Sequence, residues 1–343
     1  MQKSSILKIF FFDNIKNDLQ NFESVALRKN LKASLELNDL HYLTNAIDEN
    51  IKVVEYINFN DQNKFNFFKG KELKKVSYAF YSEFENDSKV LSVAKQKSEK
   101  KYLIKENNVK ILSKYDLLFV PSIEAKELLE KEGIKTNIEV LFPPIRRTKF
   151  DLKDREIQKL IYIYFHLEDN NKYVYTILDS TDSLAAKRVV EFARIFSNLK
   201  IIVVIPKLKT KEARAVNKYF RKTAQNVYTC PVLSEDIYAS LVYNAFAYIN
   251  VNTLYTGAFA LFEAFNCGVN CFTLKENSFK DIAIDKQTSY VYNDFDSLIN
   301  GFNEFLSQKI PSLSDKEREF VDKNDIRSIG RRFAEINEKY FGE

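Results

Sequence analysis

Apolar residues along the chain fall into two alternating rhythms. Short runs rich in β-branched and aromatic residues occupy 6–12, 51–57, 75–81, 117–121 and 138–142, and each reads as a strand. Longer stretches with apolar positions at helical spacing lie between them, notably 22–37 and 123–132. The second is well punctuated: Ser122 is placed to cap its first turn, Glu124 and Glu127 suit the positive end of the helix dipole, and Gly133 sits where a helix commonly ends. The sequence Phe142, Pro143, Pro144, Ile145 then stops the rhythm, because a double proline cannot continue a central strand. The rhythm restarts with strand runs at 160–165, 173–178, 201–205, 227–230, 247–251, 269–274 and 290–292. Helical stretches follow at 183–196, 211–223, 235–243, 257–266, 295–306 and 326–340. Runs 160–165 and 173–178 are close enough to form a hairpin.

Strands alternating with helices predict parallel sheets covered on both faces. A chain of 343 residues is also near the limit of a single core. The expected fold class is therefore α/β, with two Rossmann-like doubly wound domains facing a central cleft. The expected boundaries are 1–148 and 149–325, with a C-terminal helix at 326–343 as a candidate to return to the first domain.

Composition trims the functional classes. There are only 7 glycines, where average usage of about 7% would give roughly 24. No G-x-G-x-x-G or G-x-x-x-x-G-K-[ST] run is present, so neither the common dinucleotide loop nor a P-loop is expected. The kinase Gly-rich loop and His-Arg-Asp run are missing as well. Cys230, Cys267 and Cys271 with His41 and His166 are too few and too scattered for a structural zinc site, and no metal is expected. An odd cysteine count, with no signal-peptide pattern at the start, points to a reducing cytoplasm. No apolar run reaches the roughly 18 to 20 residues that span a bilayer.

Charge is uneven along the chain. The net charge of +5 lies wholly in the first 150 residues. Within them, 89–114 carries eight lysines against two glutamates, Glu99 and Glu106. Such a stretch attracts anionic headgroups at about 1 kcal/mol per basic residue, and its interleaved apolar residues could enter an interface. Lys95, Lys97, Lys100 and Lys101 are the membrane-binding candidates; a solvated lysine-rich surface helix is the plain alternative. No nucleic-acid-binding motif accompanies this stretch, so nucleic acid is not an expected partner.

Two segments carry a resemblance. One runs Tyr115 to Ser122, continues through Ala125, Lys126, Glu127, Leu128, Leu129, Gly133 and Ile134, and ends at Ile138 to Ile145. The other runs Ala260 to Asn270, ALFEAFNCGVN. Both resemble the GT-B fold retaining glycosyltransferases of family 4, the first matching the last α/β unit of the acceptor domain and the second the donor-site helix. The overall layout is similar to bacterial diacylglycerol glucosyltransferases, in which a basic amphipathic helix docks on the membrane.

The resemblance implies roles residue by residue. The second glutamate of the family's Glu-x7-Glu motif, which contacts the ribose hydroxyls, matches Glu263; the first matches Tyr255, a departure from the family. Thr256 and Gly257 would offer a polar loop to phosphate. Lys187 and Arg188 stand several residues beyond the family's basic pair, as substitutes for it or as helix surface. On the acceptor side, Glu83, Glu85 and Ser88 follow the third strand run and could bind hydroxyls or cap a helix. The implied activity is transfer of a hexose from a nucleotide diphosphate sugar, UDP-sugar above all, to a membrane glycolipid or lipid acceptor. The implied mechanism is retaining and needs no cofactor, and the implied location is cytoplasmic, peripheral on the inner face of the plasma membrane. No residue is identified as the catalytic base. The other readings are a catalytically reduced GT-B protein that binds membrane, lipid or a partner subunit, and an unrelated two-domain sugar-processing enzyme such as an epimerase.

Overall fold

A computed structural model describes residues 9–12, 22–38, 42–43, 51–56, 72–79, 106–168, 172–178, 180, 182–206, 210–231, 233–252, 258–277 and 279–342. They form two compact units. One gathers the described residues from 9 to 145 with those from 324 onward; the other holds the described residues of 146–323.

In the first unit the order is β1 (Ile9–Phe12), α1 (Phe22–Glu36), β2 (Tyr42–Leu43), β3 (Val53–Tyr56), β4 (Lys74–Tyr78), α2 (Glu106–Leu112), β5 (Leu117–Val120), α3 (Ile123–Lys131) and β6 (Asn137–Val140). The strands make one parallel sheet in the order β2-β1-β3-β4-β5-β6. This is the flavodoxin-like doubly wound arrangement, with its reversal of strand order between β1 and β3. The local signals at α3 act as read: Ser122 accepts from the Ala125 N–H, and Gly133 takes a φ of +83°, which a side chain would oppose. Helix α11 (Ile326–Phe341) belongs to this unit and packs along α1. Ser34 donates to the Ile326 carbonyl at 2.6 Å, and a Cβ on Gly330 would lie 2.0 Å from Ser34 Oγ, so only glycine allows this approach. At its other end α11 brings Tyr340 to Glu139 of β6 at 2.8 Å.

The second unit begins with a 3₁₀ turn at Arg147–Phe150. It continues through α4 (Arg155–Phe165), β7 (Tyr173–Ile177), α5 (Ser183–Ile195), β8 (Lys200–Val204), α6 (Lys211–Thr223), β9 (Val227–Cys230), α7 (Glu235–Tyr243) and β10 (Ala247–Asn250). After these come α8 (Ala258–Cys267), β11 (Cys271–Leu274), β12 (Tyr290–Tyr292), α9 (Phe295–Leu306) and α10 (Ser314–Lys323). Its sheet is again parallel, in the order β12-β11-β10-β7-β8-β9. Counted from β7 this is the 3-2-1-4-5-6 dinucleotide-fold order, with the reversal between β7 and β10.

The structure corrects one element. Residues 160–165 are not a strand and form no hairpin with β7; they are the end of α4. Asp154 caps that helix through the Glu156 N–H. Ser240 of α7 accepts from the Ile161 N–H and donates to the Gln158 carbonyl, which also receives the Asn244 amide. These bonds come from residues about 80 positions away, so the local aromatic and β-branched pattern could not reveal them. Helix α10 and strand β2 were not anticipated either.

Candidate functional site

Open parallel sheets place ligands beyond the carboxyl ends of their strands, where the strand order reverses. In the second unit that point lies between β7 and β10. The chain leaving β10 is tied across it: the Asn252 side-chain amide donates to the Ile177 carbonyl at the end of β7 at 2.9 Å, and to Asn250 Oδ1 at 2.8 Å. Both asparagines are buried. Asn250 Nδ2, Asn252 Oδ1 and Thr273 Oγ1, the last from the register partner of Asn250 on β11, make no hydrogen bond. Polar groups in such positions are costly unless something pairs with them.

Helix α5 starts beside this edge. Asp182 caps it by accepting from the Ala185 N–H at 3.0 Å. Lys187 and Arg188 lie in its second turn, both half-buried. The Arg188 guanidinium reaches back over the sheet edge, donating to the Val251 carbonyl at 3.2 Å and to Glu276 Oε1 at 2.6 Å. One of the two basic residues is therefore held at the exit of β10, neutralised by a carboxylate that is half exposed.

Glu263 lies in the middle of α8 and is only 3% exposed. Its two oxygens have separate partners. Tyr238 of α7 donates its hydroxyl to Oε2 at 2.6 Å, and the Lys149 ammonium stands 3.6 Å from Oε1. Lys149 arrives from the 3₁₀ turn and also lies over the Tyr238 ring, 4.8 Å from its centroid. Burial pushes the Glu263 carboxyl above its ordinary range, while Lys149 and the Tyr238 hydroxyl pull it back. The Tyr238 phenol is driven up by burial and by Glu263, so it remains the donor of the pair. Below them Tyr175 and Tyr248 pack ring to ring at 4.8 Å, with the Tyr175 hydroxyl buried and unpaired.

The second unit thus brings Arg188 to the end of β10 and gives Glu263 an ion-pair partner. Lys149 and Tyr238 are the residues that sequence reasoning missed. The usable signal was Glu263 itself, a lone charge in an apolar run, which implies a buried partner without naming it. Tyr255, Thr256 and Gly257 lie outside the described residues, as do Glu83, Glu85, Ser88, Lys95, Lys97, Lys100 and Lys101. Of the basic stretch 89–114, residues 106–112 form α2. Among the described residues no group of three His, Cys, Asp or Glu is arranged to hold a metal ion. Among them, too, no helix is long and apolar enough to cross a membrane.

Comparison with solved structures decides the fold. A glycosyltransferase from Rickettsia africae ESF-5 superposes with a TM-score of 0.68 over 98% of this chain and 99% of that one, at 12% identity. Anabaena HepE, solved in complex with UDP and glucose, gives 0.70 over 96% and 99% at 11% identity. WaaG, a glycosyltransferase involved in lipopolysaccharide biosynthesis, gives 0.60 over 96% and 99% at 12% identity. The fold is GT-B. No family model matches the sequence, and no curated protein matches it. Identities this low carry the fold and not the activity.

Proposed function

We propose that this GT-B protein is a hexosyltransferase, a retaining enzyme of family 4 that transfers a sugar from a UDP-sugar to a membrane glycolipid or lipid acceptor. The observation that carries the reading is the buried Lys149–Glu263–Tyr238 cluster beside the strand-order reversal of the second unit. A buried, charge-paired carboxylate on the helix that follows β10 has the chemistry to receive a ribose diol. Each of its oxygens retains acceptor capacity beyond its present partner. Arg188 at the β10 exit, with Lys187 beside it, would face the diphosphate and stabilise it as a leaving group.

The solved neighbours support the donor class. HepE is solved with UDP-glucose, and WaaB is a lipopolysaccharide outer core galactosyltransferase. The remaining roles follow the resemblance. Residues 1–148 would hold the acceptor through Glu83, Glu85 and Ser88. Residues 149–325 would hold the donor, with Tyr255, Thr256 and Gly257 at the sugar and phosphates. Lys95, Lys97, Lys100 and Lys101 would dock an anionic membrane from the cytoplasmic side, and no metal is required.

Labelled UDP-glucose and UDP-galactose, offered with diacylglycerol and glucosyl-diacylglycerol vesicles, test the reading, with Glu263→Ala in parallel. Product from the native chain and none from the variant is expected. No product with either donor, together with no thermal shift on adding UDP, overturns it. Tyr255 stands where the family keeps a carboxylate and favours a second reading, a catalytically reduced GT-B protein that binds without transferring. UDP binding without product, restored to turnover by Tyr255→Glu, would select that reading. Vesicle co-sedimentation that ignored both the anionic lipid fraction and charge reversal at the four lysines would remove the membrane role.

A further inference from the structure

The first unit holds a buried acid that the proposed donor chemistry does not use. Glu55 is the penultimate residue of β3, paired in register with Phe11 of β1 and Val76 of β4. It therefore stands beside the β1/β3 reversal of this sheet, one residue, about 3.3 Å of rise, below the carboxyl edge. It is fully buried, and neither carboxyl oxygen makes a hydrogen bond. Strand alternation puts Val53, Val76, Tyr78, Leu117 and Phe119 on the same face, beneath α11 through the Phe119–Phe333 ring contact. The one hydroxyl in that set, on Tyr78, is given to the Leu141 carbonyl at 2.6 Å. By contrast, the buried Glu263 has a partner at each oxygen.

We propose that Glu55 is the inner end of a subsite for a hydroxyl-bearing ligand in the first unit, where its carboxyl orients a sugar hydroxyl of the acceptor. Burial drives its pKa well above the ordinary range, so it enters the subsite as a neutral acid with one O–H to donate and one carbonyl to accept. A sugar hydroxyl also donates once and accepts, so the two can pair reciprocally without separating charge. A position serving the fold alone would be better filled by an apolar residue of the same size. That the bound hydroxyl is the acceptor rests on the glycosyltransferase reading; that the subsite exists does not.

The test uses the full chain and its Glu55→Met and Glu55→Gln variants, with octyl β-glucoside as the hydroxyl-bearing probe. In titration calorimetry Glu55→Met should bind the probe at least tenfold more weakly, and Glu55→Gln, which still donates and accepts, within about threefold of the native chain. The UDP-induced thermal shift should be the same in all three. With UDP-glucose and glucosyl-diacylglycerol vesicles, Glu55→Met should raise the acceptor KM and leave the donor KM unchanged. Equal probe binding by the native chain and Glu55→Met, or none by the native chain, overturns the subsite. Absence of transfer with probe binding still lost in Glu55→Met overturns the glycosyltransferase reading and keeps the subsite. If Glu55→Met does not fold, infrared difference spectra of the native chain decide. The carbonyl band of a protonated carboxyl, assigned by its loss in Glu55→Gln, must shift on adding the probe; an unmoved band overturns the proposal.

Discussion

The two faces of the second unit's sheet are built from the same strands and differ in kind. One carries Val174, Ile201, Val203, Ile249, Val251, Phe272 and Leu274 against α5, α6 and α9, an interior that is apolar apart from Thr176, whose buried hydroxyl is unpaired. The residues between them point the other way: Tyr173, Tyr175, Tyr248, Asn250, Cys271 and Thr273, all buried, toward the side of α4, α7, α8 and α10. Tyr173 satisfies its hydroxyl at the Leu241 carbonyl at 2.6 Å, but the hydroxyls of Tyr175 and Thr273 and part of the Asn250 amide are unpaired. A fold needs one well-packed layer for cohesion. It does not need a second layer of buried hydroxyls, amides and carboxyls, and Glu263 lies with Lys149 and Tyr238 on that second face, while Lys187 and Arg188 come from α5 on the first.

If this division of labour holds, the apolar face should control stability alone. Phe302 is the place to break it, since its ring meets those of Phe192, Phe196 and Phe272 at about 5 Å. Phe302→Ala should cost about 3–5 kcal/mol, read as a lower denaturant midpoint, with UDP affinity per folded molecule unchanged. A matching loss of UDP affinity would show that the faces are not separable. Glu263→Ala should cost somewhat less, about 3 kcal/mol, by leaving Lys149 without its counter-charge. Unlike Phe302→Ala, it should also abolish the UDP-induced thermal shift. Exchanging both partners, Lys149→Met with Glu263→Leu, should recover most of the stability and none of the UDP response, because a buried ion pair is nearly neutral against an apolar one of similar size. Recovery of both would reduce the cluster to a structural pair.

The same contrast governs how much could be read from the chain. The apolar face was legible, because its strands and helices announce themselves by period: β7, β8, β10 and β11 and helices α5, α6 and α9 fall on the expected runs. Caps were legible for the same local reason, as at Ser122 and Gly133. The polar face was legible only in outline: α7 and α8 fall on the expected runs 235–243 and 257–266, but what its buried polar groups pair with was not. The second half of α4, residues 160–165, reads as a strand by itself, and the bonds that Ser240 and Asn244 make to the α4 backbone come from far along the chain. Glu263 was singled out as a charge in an apolar run, but Lys149 lies 114 positions earlier, and nothing periodic links the two. Arg188 was visible as half of a basic pair, while its reach to Val251 and Glu276 depends on how α5 lies over the sheet edge.

The last prediction is the sharpest in sign. Glu317 of α10 is buried beside Cys271 on the polar face. Burial lifts its carboxyl to about 9, against smaller opposing effects of the Cys271 backbone and Arg318. An acid whose folded pKa is raised keeps its proton while the unfolded chain has already lost it, so between about pH 4.5 and 9 the folded state binds the extra proton. Stability from this site is therefore greatest below the unfolded pKa, declines as pH rises through that window, and is fully lost above it. Glu317→Gln keeps the shape and removes the titration. Its melting temperature relative to the native chain should be near zero or slightly negative at pH 5 and positive at pH 8. Thermal melts at the two pH values, in the same salt, read the difference directly. A pH-independent offset would mean that Glu317 is already ionised and paired in the folded chain. It would also move this residue from the unpaired side of the comparison to the side of Glu263, whose charge has a partner.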